Sequence, residues 1–268
     1  MLNASPVYRA ATAAILTLML GLAASPAEAK LRTRSVDYRA GDKSLQGYLA
    51  YDDAGPAKRP GVLIVHDWIG VGDYVKKRAE QVAQLGYVAF VADIYGKGVL
   101  AKDHDEAAKL AGPYFQDRAL LRTRVSAGLA TLISQPQVET GKLAAMGYCF
   151  GGMAALELAR SGAALKGVVS FHGALGTPTP ADAKFIKGAI LALNGADDPH
   201  VPRAQVLAFE DEMTAAKVDW TVINYGGVMH AFTVPSANMP DKGLRYDEAA
   251  DRRSWATMRA FFSERLGS

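Results

Sequence analysis

Strand and helix alternate along this chain from Gly61 to its end, and that alternation restricts the fold more than any other feature. Gly61-Val62-Leu63-Ile64-Val65 is a continuous apolar run after a polar Pro/Gly loop at 52–60. A run of this kind suits a strand buried on both faces of a parallel sheet. Residues 74–85 follow with helical periodicity and stop at Gly86, a residue suited to the left-handed end of a helix. Residues 87–92 are a second apolar run. The pattern then predicts helices over 106–111 and 117–134, a strand over 143–146, a helix over 150–160, and strands over 167–171 and 190–193. A helix over 203–216, a strand over 220–225 and a closing helix over 247–266 complete it. The aromatics of that helix, Trp255, Phe261 and Phe262, read as core packing. Parallel strands need crossovers, so the expectation is a mostly parallel α/β sheet with helices on both faces. Residues 33–38 and 44–51, around the Ala40–Asp42 turn, read as an N-terminal antiparallel hairpin.

Composition narrows the class further. The chain has 268 residues and a formal net charge of +3, so nothing in its charge balance points to nucleic acid as a partner. Residues 1–29 read as an export signal. Arg9 precedes an apolar stretch over 10–24, Pro26 breaks it, and Ala27-Glu28-Ala29 matches a small-x-small cleavage site. The mature chain would begin at Lys30, with 30–268 forming one domain, periplasmic or secreted and free of the membrane after cleavage. The chain holds a single cysteine, so no internal disulfide can form although export leads to an oxidising compartment. Either this thiol is an inert core residue or its setting gives it a task.

That setting is Gly147-Tyr148-Cys149-Phe150-Gly151-Gly152, between a predicted strand and a predicted helix. This is the nucleophile-elbow pattern, with cysteine at the nucleophile position. The tight turn leaves no room for side chains two residues to either side, and the helix N-terminus favours negative charge on sulfur or on an oxyanion. The acid and the base are expected downstream in that order. Asp197 and Asp198 both follow the 190–193 strand. Asp198 is preferred because it directly precedes the turn Pro199-His200-Val201-Pro202. Among five histidines, His66, His104 and His172 precede the acid and His200 lies too close to it. His230, after the last strand and the Gly226-Gly227 loop, is the expected base. An oxyanion site needs two backbone N–H groups. Phe150 supplies one, and the loop after the first buried strand supplies the other, assigned to Trp68. Residues 238–246 are a polar loop placed to line the pocket.

These motifs resemble the dienelactone hydrolase family. The elbow, the segment from Gly195 to Pro202, His230-Ala231-Phe232, Asp67-Trp68-Ile69-Gly70-Val71 and Asp93-Ile94-Tyr95 carry the resemblance over nearly the whole chain beyond Lys30. It implies an α/β-hydrolase fold, no metal or organic cofactor, and acyl transfer through a thioester on Cys149. Two positions depart from the family pattern. Asp67 stands where the best-known members place a glutamate that interacts with the resting thiol, which makes Asp67 a candidate thiol-modulating acid. Val234 and Lys97 stand where those members place arginines that hold a substrate carboxylate. Lys97 remains a candidate substrate-binding residue, although its ammonium lacks the bidentate fork of arginine. The expected function is hydrolysis of a small ester or lactone by a monomer through Cys149, Asp198 and His230. The competing reading is a non-catalytic small-molecule-binding protein on the same fold.

Overall fold

The computed structural model describes Met1 and residues 30–267, so the expected export segment lies, Met1 apart, outside the described residues. The hairpin comes first, as β1 (Leu31–Ala40) and β2 (Lys43–Asp52). The strands β3 (Arg59–Val65), β4 (Val88–Ala92), β5 (Val138–Tyr148), β6 (Gly167–Phe171), β7 (Ala189–Gly195) and β8 (Trp220–Tyr225) follow. They form one sheet in the order β1-β2-β4-β3-β5-β6-β7-β8. The β1–β2 and β2–β4 pairs are antiparallel, and every pair from β4 to β8 is parallel. Every residue of β3, β4, β6 and β7 is buried, which is why those strands read as unbroken apolar runs.

Helices cover both faces. Alternate residues of each strand divide between two cores, so Leu63 and Val65 pack on one side while Val62 and Ile64 pack on the other. The first side is closed by α2 (His104–Gln116), α3 (Arg118–Ile133), α4 (Phe150–Arg160) and α5 (Arg203–Ala215). The second is closed by α1 (Asp73–Gln84) and α6 (Glu248–Leu266), where Phe262 is fully buried and Trp255 and Phe261 pack against it. The α4 helix is buried along its whole length. Its Arg160 is fully buried and satisfied by Glu157, Glu212 and the Leu175 carbonyl, so this charge is buried in paired form.

Element ends differ from the sequence expectation for local reasons. Asp117 and Asp247 are caps rather than first helical residues, with side chains that accept from the Leu120 and Ala250 N–H groups at 2.8 Å. The α2 helix starts earlier than periodicity suggests, since Asp103 caps it, and it continues through Gly112 and Pro113. The segment 238–246 is a short antiparallel ribbon. Strands β9 (Asn238–Met239) and β10 (Leu244–Arg245) flank a 3-10 turn at Pro240–Lys242.

The contact of α3 with the sheet depends on a missing methyl. A Cβ at Gly128 would lie 2.6 Å from the Ala92 Cβ. Alanine ordinarily favours a helix over glycine by about 1 kcal/mol, but forcing it here costs roughly 1–3 kcal/mol in overpacking. Gly128→Ala is therefore expected to lower the urea midpoint at unchanged slope. An unchanged or raised midpoint would contradict this reading of the α3–β4 contact.

Candidate active site

Cys149 sits between the end of β5 and the start of α4 with φ 53° and ψ −116°, a conformation that side chains rarely tolerate. Its neighbours make it possible. A Cβ on Gly147 would lie 2.1 Å from the Gly151 carbonyl oxygen, and one on Gly151 would lie 2.1 Å from that of Val65. Glycine at both positions lets α4 start directly over the end of β3. The turn is tied to the next strand by the Cys149 N–H, which donates to the Phe171 carbonyl at 3.0 Å. Two other non-glycine residues with positive φ, His172 (41°) and Ala231 (56°), also belong to the site.

The structure brings Cys149, His230 and Asp198 into one chain. Sγ of Cys149 lies 3.1 Å from Nε2 of His230, and Nδ1 of His230 lies 2.7 Å from Oδ2 of Asp198. The carboxylate acceptor requires a proton on Nδ1. Oδ1 of Asp198 accepts from the backbone N–H groups of His200 (2.8 Å) and Val201 (3.2 Å), so the carboxylate is held on both oxygens. Asp197, the competing acid, is exposed and contributes its backbone N–H to the Val228 carbonyl. Burial alone would push the His230 imidazole down, but the Cys149 and Asp198 charges at its two nitrogens outweigh burial and raise it.

Sequence order did not reveal what holds His230 in place. The ribbon 238–246 clamps its backbone, with the His230 N–H donating to the Gly243 carbonyl at 2.9 Å and its carbonyl accepting from Arg245 at 3.0 Å. The rings of His172 and His200 each stand edge-on to His230 at 5.0 Å. His172 is fully buried and bonded to the Thr233 hydroxyl, which in turn meets Tyr74. Burial, aided by the His230 charge, keeps His172 well below the usual histidine range.

The loop after β3 carries the remaining candidates. Among the described residues, no backbone carbonyl accepts from the Trp68 N–H or the Phe150 N–H. The Trp68 carbonyl accepts from Tyr95 OH at 3.1 Å, and its indole stacks on His104. Asp67 accepts from the Ile69 N–H at 2.8 Å, and the Cys149 thiol is engaged by His230 rather than by Asp67. Lys97 is not brought to the site. Its ammonium pairs with Asp37 on β1 at 2.6 Å and its N–H donates to Ser44, so it fastens the loop after β4 to the hairpin. Among the described residues no group of His, Cys, Asp or Glu is placed to hold a metal.

Burial raises the Asp67 carboxyl to about 6, with the single Ile69 N–H opposing the shift. A carboxyl raised in the folded state contributes stability below its unfolded value of 3.8, and that contribution is lost as pH rises through about 6. Asp67→Asn keeps an acceptor for Ile69 and removes the charge. Its thermal stability relative to wild type is expected to improve between pH 4 and pH 7.5, by on the order of 1–3 kcal/mol. A difference that stays flat across this range would show that the Asp67 carboxyl is not raised.

The model of the dienelactone hydrolase family matches residues 45–266. Among solved structures, m3DLH superposes with a TM-score of 0.85 and 39% identity, over 88% of this chain and 99% of its own. The dienelactone hydrolase-like promiscuous phosphotriesterase P91, from metagenomic libraries, superposes with a TM-score of 0.83 and 38% identity over the same shares. A Synechocystis protein named "putative carboxymethylenebutenolidase" is 25% identical over 234 residues, covering 83% of this chain and 92% of its own. Elbow, sheet order and matched length agree, and the chain belongs to the dienelactone hydrolase family, a family of hydrolases with the α/β-hydrolase fold.

Proposed function

We propose that this protein hydrolyses small esters or lactones with Cys149 as nucleophile, His230 as proton carrier and Asp198 as its anchor. The observation that carries this reading is the unbroken chain from Cys149 Sγ through His230 to Asp198 Oδ2, with contacts of 3.1 and 2.7 Å. Family membership and the carboxymethylenebutenolidase name of the Synechocystis relative support an acyl carbonyl as the electrophile.

His230, anchored through Nδ1 by Asp198, takes the Cys149 thiol proton at Nε2 and leaves a thiolate beside the imidazolium. The thiolate attacks the carbonyl carbon, a C–S bond forms, and the carbonyl oxygen becomes an oxyanion facing the Phe150 and Trp68 N–H groups. Collapse breaks the acyl C–O bond, and the leaving alkoxide takes the Nε2 proton. In a lactone that alkoxide stays tethered to the acyl group. Neutral His230 then removes a proton from water as its oxygen adds to the thioester carbon. The second collapse releases the acid and restores thiolate and imidazolium. A thiolate leaves a tetrahedral centre more readily than an amide nitrogen does, so activated esters and lactones fit this site better than amides.

Cys149→Ala is expected to abolish p-nitrophenyl acetate hydrolysis. Asp198→Asn, which loses the acceptor that sets the imidazole tautomer, should lower kcat by about 10²–10⁴-fold. Mixing wild type with the ester and quenching in acid should show an acetyl adduct on Cys149 by mass spectrometry. Equal turnover by wild type and Cys149→Ala would remove the nucleophile assignment.

We further propose, from the sequence of residues 1–29, that the protein is exported to the periplasm or secreted. N-terminal sequencing of the protein recovered outside the cytoplasm should begin at Lys30. Recovery of an intact N-terminus in the cytoplasm alone would overturn that assignment.

A further inference from the structure

His66 is completely buried behind the loop after β3 and takes no part in the proton transfers described above. Its partners admit one protonation state. The Asp67 carbonyl oxygen, 2.5 Å from Nδ1, can only accept, so Nδ1 carries a proton. The Ile94 backbone N–H, 3.2 Å from Nε2, can only donate, so Nε2 is bare. Burial also disfavours the cation, and pushes the imidazole down against the opposing effects of the Asp67 carbonyl and the Asp93 charge.

The carbonyl held by His66 belongs to the Asp67–Trp68 peptide, whose N–H is the Trp68 amide. Across a trans peptide the C=O and N–H point in opposite directions. A donor fixed behind the oxygen therefore fixes where the N–H looks. The same bond polarises the peptide and strengthens that N–H as a donor. The Gly70 N–H also reaches the Asp67 carbonyl, at a longer 3.3 Å, and the rest of the loop is pinned by Tyr95 OH on the Trp68 carbonyl and by the Asp67 carboxyl on the Ile69 N–H. The other face of the imidazole reaches the elbow, stacking on the Phe150 ring at 5.9 Å and 23°. Gly151 completes this approach, since a Cβ there would lie 2.4 Å from the His66 carbonyl oxygen.

We propose that His66 is a positioning residue for the oxyanion site. Its Nδ1–H, oriented by the Ile94 N–H, holds the Asp67–Trp68 peptide so that the Trp68 N–H faces the reacting carbonyl oxygen beside the Phe150 N–H. The inference rests on the reading of those two amides as the oxyanion donors. His66 acts through the peptide and does not touch substrate.

Two substitutions in the full chain separate positioning from packing. His66→Phe keeps a ring against Phe150 and removes the donor, whereas His66→Asn restores an N–H near the Nδ1 position. Hydrolysis of p-nitrophenyl acetate needs the oxyanion site, while alkylation of Cys149 by iodoacetamide displaces iodide at a saturated carbon and does not. In His66→Phe, kcat is expected to fall about 10²-fold, the size of losing one oxyanion donor. KM should stay within about twofold and the alkylation rate should not change. His66→Asn should recover about tenfold of the lost kcat. Nitrogen-15 NMR of the resting wild type at neutral pH should show His66 protonated at Nδ1 only. The proposal is overturned by an Nε2–H tautomer or an imidazolium, by a His66→Phe kcat near that of wild type, or by hydrolysis and alkylation falling together. It is also overturned if His66→Asn is as slow as His66→Phe. Turnover by wild type no faster than by Cys149→Ala sinks the nucleophile assignment instead, and the ring tautomer then decides the role of His66.

Discussion

The backbone of Cys149 is held at a positive φ that costs of order 1–3 kcal/mol for a residue with a side chain. The surroundings of the elbow are arranged to hold that turn. The β5 strand lies between β3 and β6, and α4 is buried along all of its length, so neither end of the turn can relax into solvent. Gly147 and Gly151 remove the side chains that would push strand and helix apart. The Cys149 N–H is spent on the Phe171 carbonyl, while the next N–H, on Phe150, starts the helix with no partner among the described residues. The same strain therefore presents the sulfur and leaves a donor beside it.

Charge at the site follows from which partner each buried group meets. His230 faces an anion at each nitrogen and is raised. His66 faces a carbonyl and an amide, His172 faces a threonine hydroxyl and the His230 charge, and burial pushes both down. Of these three imidazoles, the cation is favoured at the one that touches the sulfur. The two carboxyls also differ in their partners. Asp198 receives two backbone N–H groups and an imidazole N–H. Asp67 receives a single N–H, and burial raises its carboxyl to about 6. The neutral His66 imidazole and the Gly70 N–H both reach the Asp67 carbonyl, so the peptide that carries the Trp68 N–H is held from its oxygen side.

Features written locally were legible in the sequence. The buried strands appear as apolar runs, the elbow as glycines around a cysteine, and the acid and base as an order along the chain. Features that depend on distant partners were not. Lys97 became a candidate through its place at a family arginine position, and a local sequence cannot show that its partner is Asp37, on a strand much earlier in the chain. Asp117 and Asp247 looked helical because a cap and a first turn share the same acidic preference. Residues 138–142 carry little apolar signal, yet they extend β5, whose pairing with β3 shifts register between Pro60 and Gly61. Chain order excluded His66 as a base and was silent about a role played through a peptide bond.

The base loop presents a harder physical problem than the elbow does. It follows β8, which ends the sheet, pairs on one side only and leaves residues exposed along its length. An edge strand of this kind cannot by itself hold an imidazole between two partners. The ribbon 238–246 supplies what the sheet lacks. It bonds the His230 backbone in both directions through Gly243 and Arg245, and the Lys242 carbonyl reaches His200 Nε2 at 3.0 Å. Gly243, at a φ of 73°, lies so close to Pro199 that a Cβ there would come within 2.2 Å of the proline ring. One short segment thus grips the loop of the base and the loop of the acid together. Together with the Asp197 N–H on the Val228 carbonyl, that shared clamp holds the loop of the base against the loop of the acid.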